Sequence, residues 1–122
     1  MIDMEYLDPD KVYETTGYRP FTTFWSDFAI AEKFGKDAII DTYNRTFKGW
    51  KDQCDYMTEL ALILNWKSWR FADLINQVDD PDLIEKFKSY SKLYIDLWQK
   101  TDQYCLDDFK GDELNYYLEV TD

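Results

Sequence analysis

The chain contains no histidine. That absence removes Ser-His-Asp and Cys-His nucleophilic catalysis, the common zinc sites and the Glu-x-x-His pairs of helical di-iron proteins. Glycine is scarce as well: four scattered residues cannot build a phosphate-cradling loop. Asp79, Asp80 and Asp82 look superficially like the start of a calcium loop. Pro81 interrupts them, however, and neither the glycine nor the closing glutamate follows at the required spacing. No cofactor and no metal are expected.

Long hydrophobic runs are missing. The most apolar stretch, "LALILNW", is far too short to span a bilayer. The opening "MIDMEYLDPDK" is acidic and has no apolar core, unlike a secretion signal. A cytoplasmic protein is expected. The two cysteines, Cys54 and Cys105, are far apart and fall on or beside apolar stripes; without a secretion signal they read as small buried thiols, not as a disulfide.

Positive charge is in short supply. Against 25 acids stand 14 bases, a net charge of −11. Such a surface repels phosphate backbones and anionic lipid, so neither direct nucleic-acid binding nor membrane binding is expected. It favours a basic protein partner. The plainer reading is that acidity keeps a small protein soluble.

What is present is apolar and aromatic: 45% hydrophobic and 19% aromatic residues in 122. This suits a single helical domain over 1–122 with a real core. Residues 1–20 carry turn formers and no sustained period; they read as an arm packing through Tyr6, Leu7, Val12, Tyr13 and Tyr18. Helical periodicity then predicts helices over about 22–34, 37–51, 55–77 and 81–109. In "FTTFWSDF", Phe21, Phe24, Trp25 and Phe28 fall at i, i+3, i+4 and i+7, one face of an amphipathic helix directed at the core. Asp37 is placed as an N-cap before Ile39, Tyr43, Phe47 and Trp50.

The third predicted helix carries Met57, Leu60, Leu64, Phe71, Ile75 and Val78, with Ala61, Ser68 and Leu74 beside them. Asp80 before Pro81 is a strong start signal for the fourth. There Leu83, Phe87, Tyr90, Tyr94, Leu97, Thr101 and Tyr104 step by four and three, a heptad seam. Packing of this seam within the chain is favoured over a homodimer. A short polar turn joins the third and fourth helices, predicting a long antiparallel hairpin. The ending "DELNYYLEVTD" is one more short helix or an extended segment packing Leu114, Tyr117 and Val120. The predicted fold is all-α: a compact bundle of four to five helices with a long C-terminal helical hairpin.

Carboxylates are the remaining candidates for chemistry. Asp37 with Asp41 and Asp52 with Asp55 sit at helical spacing, but acid–base work needs desolvation. Only Asp27 and Glu59 have apolar neighbours in sequence, and a buried structural carboxylate is the favoured role for both. No catalytic residue is assigned, and an enzyme is not expected. In "NWKSWRF", Trp66 and Trp69 are three apart and share a face, flanked by Lys67 and Arg70. Packing in a core or an interface is the plain reading; a protein-binding hot spot with Arg70 is the next.

The negative charge is concentrated at the ends. Asp3, Glu5, Asp8, Asp10 and Glu14 face one base, Lys11, for a charge of −4. Asp102, Asp107, Asp108, Asp112, Glu113, Glu119 and Asp122 face Lys110, for −6. The acids of these two groups, Asp122 apart, are candidate partner-binding residues, and they make one strongly negative patch if the fold brings the two ends together; Trp66, Trp69 and Arg70 are further candidates.

The stretches "PFTTFWSDFAIAEKFG", "DAIIDTYNRTF", "YMTELALILNWKSW" and "GDELNYYLEVTD" resemble a group of small acidic helical proteins carried on conjugative and integrative elements of Gram-positive bacteria. The resemblance covers roughly residues 18–122, with a variable middle around 76–92. It supplies no functional residues. What it implies is context: a mobile element entering a host whose nucleases threaten it. Two expectations follow. One is a non-enzymatic acidic binding module, an anti-defence inhibitor or DNA mimic acting on a basic nucleic-acid-handling protein. The other is an accessory interaction or scaffold protein of the element, without mimicry, as a monomer or homodimer.

Overall fold

The structure is a computed structural model that describes residues 24–121, except the side chains of Phe24, Trp25, Ser26, Asp27 and Ala29. The described residues form five helices and no strand: α1 (Phe24–Phe34), α2 (Lys36–Trp50), α3 (Cys54–Ile75), α4 (Pro81–Asp108) and α5 (Asp112–Thr121). The expected arm over 1–20 lies outside them. So does most of the aromatic face of "FTTFWSDF", of which only Phe28, half-buried, is described. No helix among the described residues is long and apolar enough to cross a membrane.

Local chemistry explains where the helices stop and start. Gly35 takes a left-handed φ of 86°, a conformation that costs a side-chain-bearing residue, and its N–H donates to Ala31 O at 2.9 Å to close α1. Asp37 lies inside the first turn of α2 instead of capping it. There it still meets the positive end of the helix dipole. Asp80 caps α4 as expected: its carboxylate accepts from Asp82 N at 2.9 Å and Pro81 opens the helix. Gly111, at φ 61°, separates α4 from α5.

The chain divides into two compact units that meet in sequence between Trp50 and Lys51. In the first, α2 buries Ile39, Thr42, Tyr43 and Thr46. The two threonines fold back onto their own helix, Thr46 Oγ1 donating to Thr42 O at 3.0 Å, so their hydroxyls are satisfied in the interior.

The second unit holds α3, α4 and α5. Phe71 of α3 packs against three rings of α4: Phe87 at 6.1 Å, Tyr90 at 5.4 Å and Tyr94 stacked at 5.8 Å. Ser91 Oγ donates to Ser68 O at 3.1 Å nearby. At the other end of α4 the Tyr104 hydroxyl donates to Lys51 O at 2.8 Å. The heptad seam therefore faces α3: Phe87, Tyr90, Tyr94, Leu97 and Thr101 are all buried. Helix α5 is anchored by Tyr117, which is fully buried and donates to Asp102 Oδ1. Val120, expected to pack, is exposed, because α5 turns only the Tyr117 face inward.

Candidate interaction surface

Helix α3 has two faces of opposite character. Inward lie Met57, Leu60, Ala61, Leu64, Ser68 and Phe71. One more residue belongs to that face: Lys67 is 1% exposed, with its Nζ 5.9 Å from the Tyr94 ring centroid, a cation–π distance. In the sequence Lys67 stands out only as a basic residue flanking the tryptophans. Its helical position overrides its charge: 60, 64, 67 and 71 step by four, three and four, so residue 67 points inward.

Outward lie Leu62, Trp66 and Trp69, exposed by 37%, 50% and 66%. Among the described residues, then, Trp66 and Trp69 do not belong to the core of this unit; positions 62, 66 and 69 are rotated away from the buried stripe. The Arg70 guanidinium carbon lies 5.9 Å from the Trp66 ring centroid, so Arg70 and Trp66 form one half-exposed stack. Beside Trp69 a groove of about 300 Å³ opens between α3 and α4, lined by Asn65, Ser68, Trp69, Ala72, Ser91, Ile95 and Trp98. Small residues make this groove: Ser68, Ala72 and Ser91 leave room where Trp69, Ile95 and Trp98 project.

The two hydroxyls that line the groove are already engaged. Ser68 Oγ donates to Asn65 O at 2.6 Å and Ser91 Oγ to Ser68 O at 3.1 Å. No carboxylate lines it. What remains to meet a visitor is apolar and aromatic surface, which suits contact with a side chain more than acid–base chemistry.

The acidic candidates are distributed as follows. Asp3, Glu5, Asp8, Asp10 and Glu14 lie outside the described residues, and so does Asp122. Asp107, Asp108, Asp112, Glu113 and Glu119 are exposed on α4 and α5. Asp107 accepts from Gln103 Nε2 at 3.0 Å. Asp102 is half-buried and holds the Tyr117 hydroxyl, so it fastens α5 to α4.

The fold adds two acids that the sequence reading did not count. The start of α3 meets the end of α4 and the start of α5: Cys54 Sγ donates to Glu113 O at 3.3 Å. Asp52 and Asp55 thereby join Asp108 and Glu113 at one end of this unit. Burial pushes the Cys54 thiol up, against the Thr58 hydrogen bond, and Glu113 and Asp55 push the same way. Burial, then Asp108 and Asp52, raise Tyr104. Glu59, read as a buried structural carboxylate, is exposed on α3, and the Asp27 side chain lies outside the described residues. Among the described residues no group of three or more histidine, cysteine or acidic side chains is arranged to hold a metal.

Cys105 is buried and its thiol is pushed up to about 12, mainly by burial and then by Cys54 and Asp102. Tyr117 is raised by burial and by its bond to Asp102. Both groups are thus held neutral by folding. Their contribution to stability is complete below the unfolded values, about 8.5 for a thiol and 10 for a phenol, and is lost as pH rises through the higher folded values. Tyr117→Phe removes a hydrogen bond to a charged group and is expected to cost roughly 1.5–3 kcal/mol near neutral pH. In urea titrations the gap between variant and wild type should shrink above about pH 10. A gap that stays constant into strong alkali would contradict this role for Tyr117.

Compared with protein families, with curated proteins and with solved structures, the chain matches none.

Proposed function

We propose that this chain is a non-enzymatic protein-binding module that docks through the aromatic surface of α3 and α4 onto a basic protein. The observation that carries this reading is the exposure of Trp66 and Trp69, 50% and 66%, beside an apolar groove in a small, highly charged chain. Large apolar side chains held at a surface mark contact sites, and tryptophan and arginine are the residues most enriched at binding hot spots. The net charge of −11 selects the partner: it speeds encounter with basic surfaces and penalises acidic ones. On the sequence resemblance, the setting is a mobile element of a Gram-positive host. The partner class is then a nucleic-acid-handling protein that the module inhibits, or one that it recruits for the element. The long α3–α4 pair serves as an antiparallel hairpin that displays the surface, and the site of action is the cytoplasm.

A second reading is favoured by a separate observation. Asp52, Asp55, Asp108 and Glu113 lie at one end of the second unit, where Cys54 Sγ meets Glu113 O and the Tyr104 hydroxyl meets Lys51 O; there burial first, and these acids after it, raise the thiol and the phenol. As a DNA mimic, the module would bind through that end. Salt separates the two readings. The tagged chain is used to capture a partner from host extract, and binding to that purified partner is measured across a salt series, with and without duplex DNA. Docking through the tryptophans predicts a shallow salt dependence and no competition by DNA. Mimicry predicts that affinity falls by orders of magnitude as salt rises and that DNA displaces the chain.

A further inference from the structure

The outward face of α3 extends beyond its aromatic centre. Asp55, Glu59, Leu62, Trp66, Trp69 and Asp73 follow one another by four, three, four, three and four, and all six are exposed. This is the a/d spacing with which one helix packs along another. The stripe is apolar in the middle and acidic at both ends. It spans 19 residues from Asp55 to Asp73, roughly 27 Å at a rise of 1.5 Å per residue. The lysines on the adjoining rim of α4 are already matched on their own helix, Lys88 with Glu85 at 3.6 Å and Lys92 with Asp96 at 3.4 Å. The acids of the stripe have no such match within it.

A second copy of the chain fits this stripe poorly. In an antiparallel self-pairing Asp55 meets Asp73; in a parallel one Asp55, Glu59 and Asp73 each meet themselves. Both arrangements set carboxylate against carboxylate in a chain whose net charge is already −11, and like charges across a helix pair are destabilising.

We infer that the α3 stripe receives an amphipathic helix of a partner protein, apolar over its central turns and bearing lysine or arginine at both ends. Its apolar side chains cover Leu62, Trp66 and Trp69, and one of them enters the groove beside Trp69. Its basic ends meet Asp55 and Glu59 on one side and Asp73 on the other. This rests on the aromatic docking surface proposed above and names the kind of segment that occupies it.

The test uses the full-length chain and three dye-labelled synthetic helices of about 20 residues, a length that matches the stripe. The first has a leucine face and lysines at both ends. The second carries glutamates in place of the lysines. The third has the composition of the first, permuted so that no apolar face forms. Fluorescence anisotropy should show the first binding at least about tenfold tighter than either control. Trp69→Ser should weaken it by about tenfold or more. Converting Asp55, Glu59 and Asp73 together to Asn, Gln and Asn should remove the preference for lysine over glutamate. Equal binding of the first and permuted peptides would overturn the proposal, since charge alone would then explain it. A dimer in sedimentation that Trp69→Ser dissolves would also overturn it, because a second copy would then be the occupant. If the helical peptides fail while capture of a native partner still depends on Trp66 and Trp69, the helix proposal falls and the docking surface stands. If both fail, the docking surface falls with it.

Discussion

Phe71→Ala is expected to lower the stability of the protein by roughly 3–5 kcal/mol, the loss typical of a buried aromatic side chain truncated in a packed core. Phe71 is 1% exposed and meets three rings, Phe87, Tyr90 and Tyr94, at centroid separations of 5.4–6.1 Å. Each of those rings comes from the seam of α4, so removing Phe71 empties the contact that binds the two longest helices. The neighbouring Ser91–Ser68 hydrogen bond limits how far α4 can collapse into the space, and a site that cannot collapse keeps its cavity. Thermal unfolding should fall by roughly 10–20 °C, taking about 4 °C per kcal/mol at this chain length. Phe71→Leu, which retains most of the volume, should cost only about 1–1.5 kcal/mol. A Phe71→Ala variant within about 1 kcal/mol of wild type would contradict the packing described for α3 and α4.

The second large effect is on binding and leaves folding alone. Trp66→Ser with Trp69→Ser should change stability by no more than about 0.5–1 kcal/mol, because both side chains are half or more exposed. The same pair should weaken binding to the native partner on the order of a hundredfold, equivalent to about 2.8 kcal/mol at 1.4 kcal/mol per tenfold. A single hot-spot residue commonly contributes about 2 kcal/mol or more, and adjacent ones do not add. Arg70 stacks on Trp66, so removing Trp66 also frees the guanidinium and part of the loss belongs to that pair. Isothermal calorimetry on the purified partner, with urea unfolding of the free chain as the control, measures both halves.

The features readable from the chain are those with local causes. Asp80 and Pro81 mark the start of α4, and Gly35 and Gly111 mark helix ends, because a cap, a fixed φ and a left-handed turn act within a few residues. The seam from Phe87 to Thr101 was legible because its steps of four and three put one continuous apolar face on a long helix; that the face packs within the chain is what the structure adds. Trp66 and Trp69 were named as candidates, but their aromatic character argued for the core while their position argued for the surface. The signal that settles it was in the sequence: Leu60, Leu64 and Phe71 leave an inward slot at residue 67, which forces 66 and 69 outward. A lysine in that slot hid it, since lysine is among the residues least often buried. Asp52 and Asp55 joining Asp108 and Glu113 was not legible, because it depends on where α4 and α5 return relative to the start of α3.

The central claim is that the outward stripe of α3 is the surface this protein uses. Hydroxyl-radical footprinting of the chain, free and bound to its captured partner, tests it most directly, because exposed tryptophans report strongly on their own burial. The account predicts that Trp66 and Trp69 become protected in the complex, with Leu62 beside them, while Tyr116 and Leu118 of α5, both exposed in the free chain, keep their reactivity. Protection confined to α5 and the end of α4, with Trp66 and Trp69 still reactive, would contradict it.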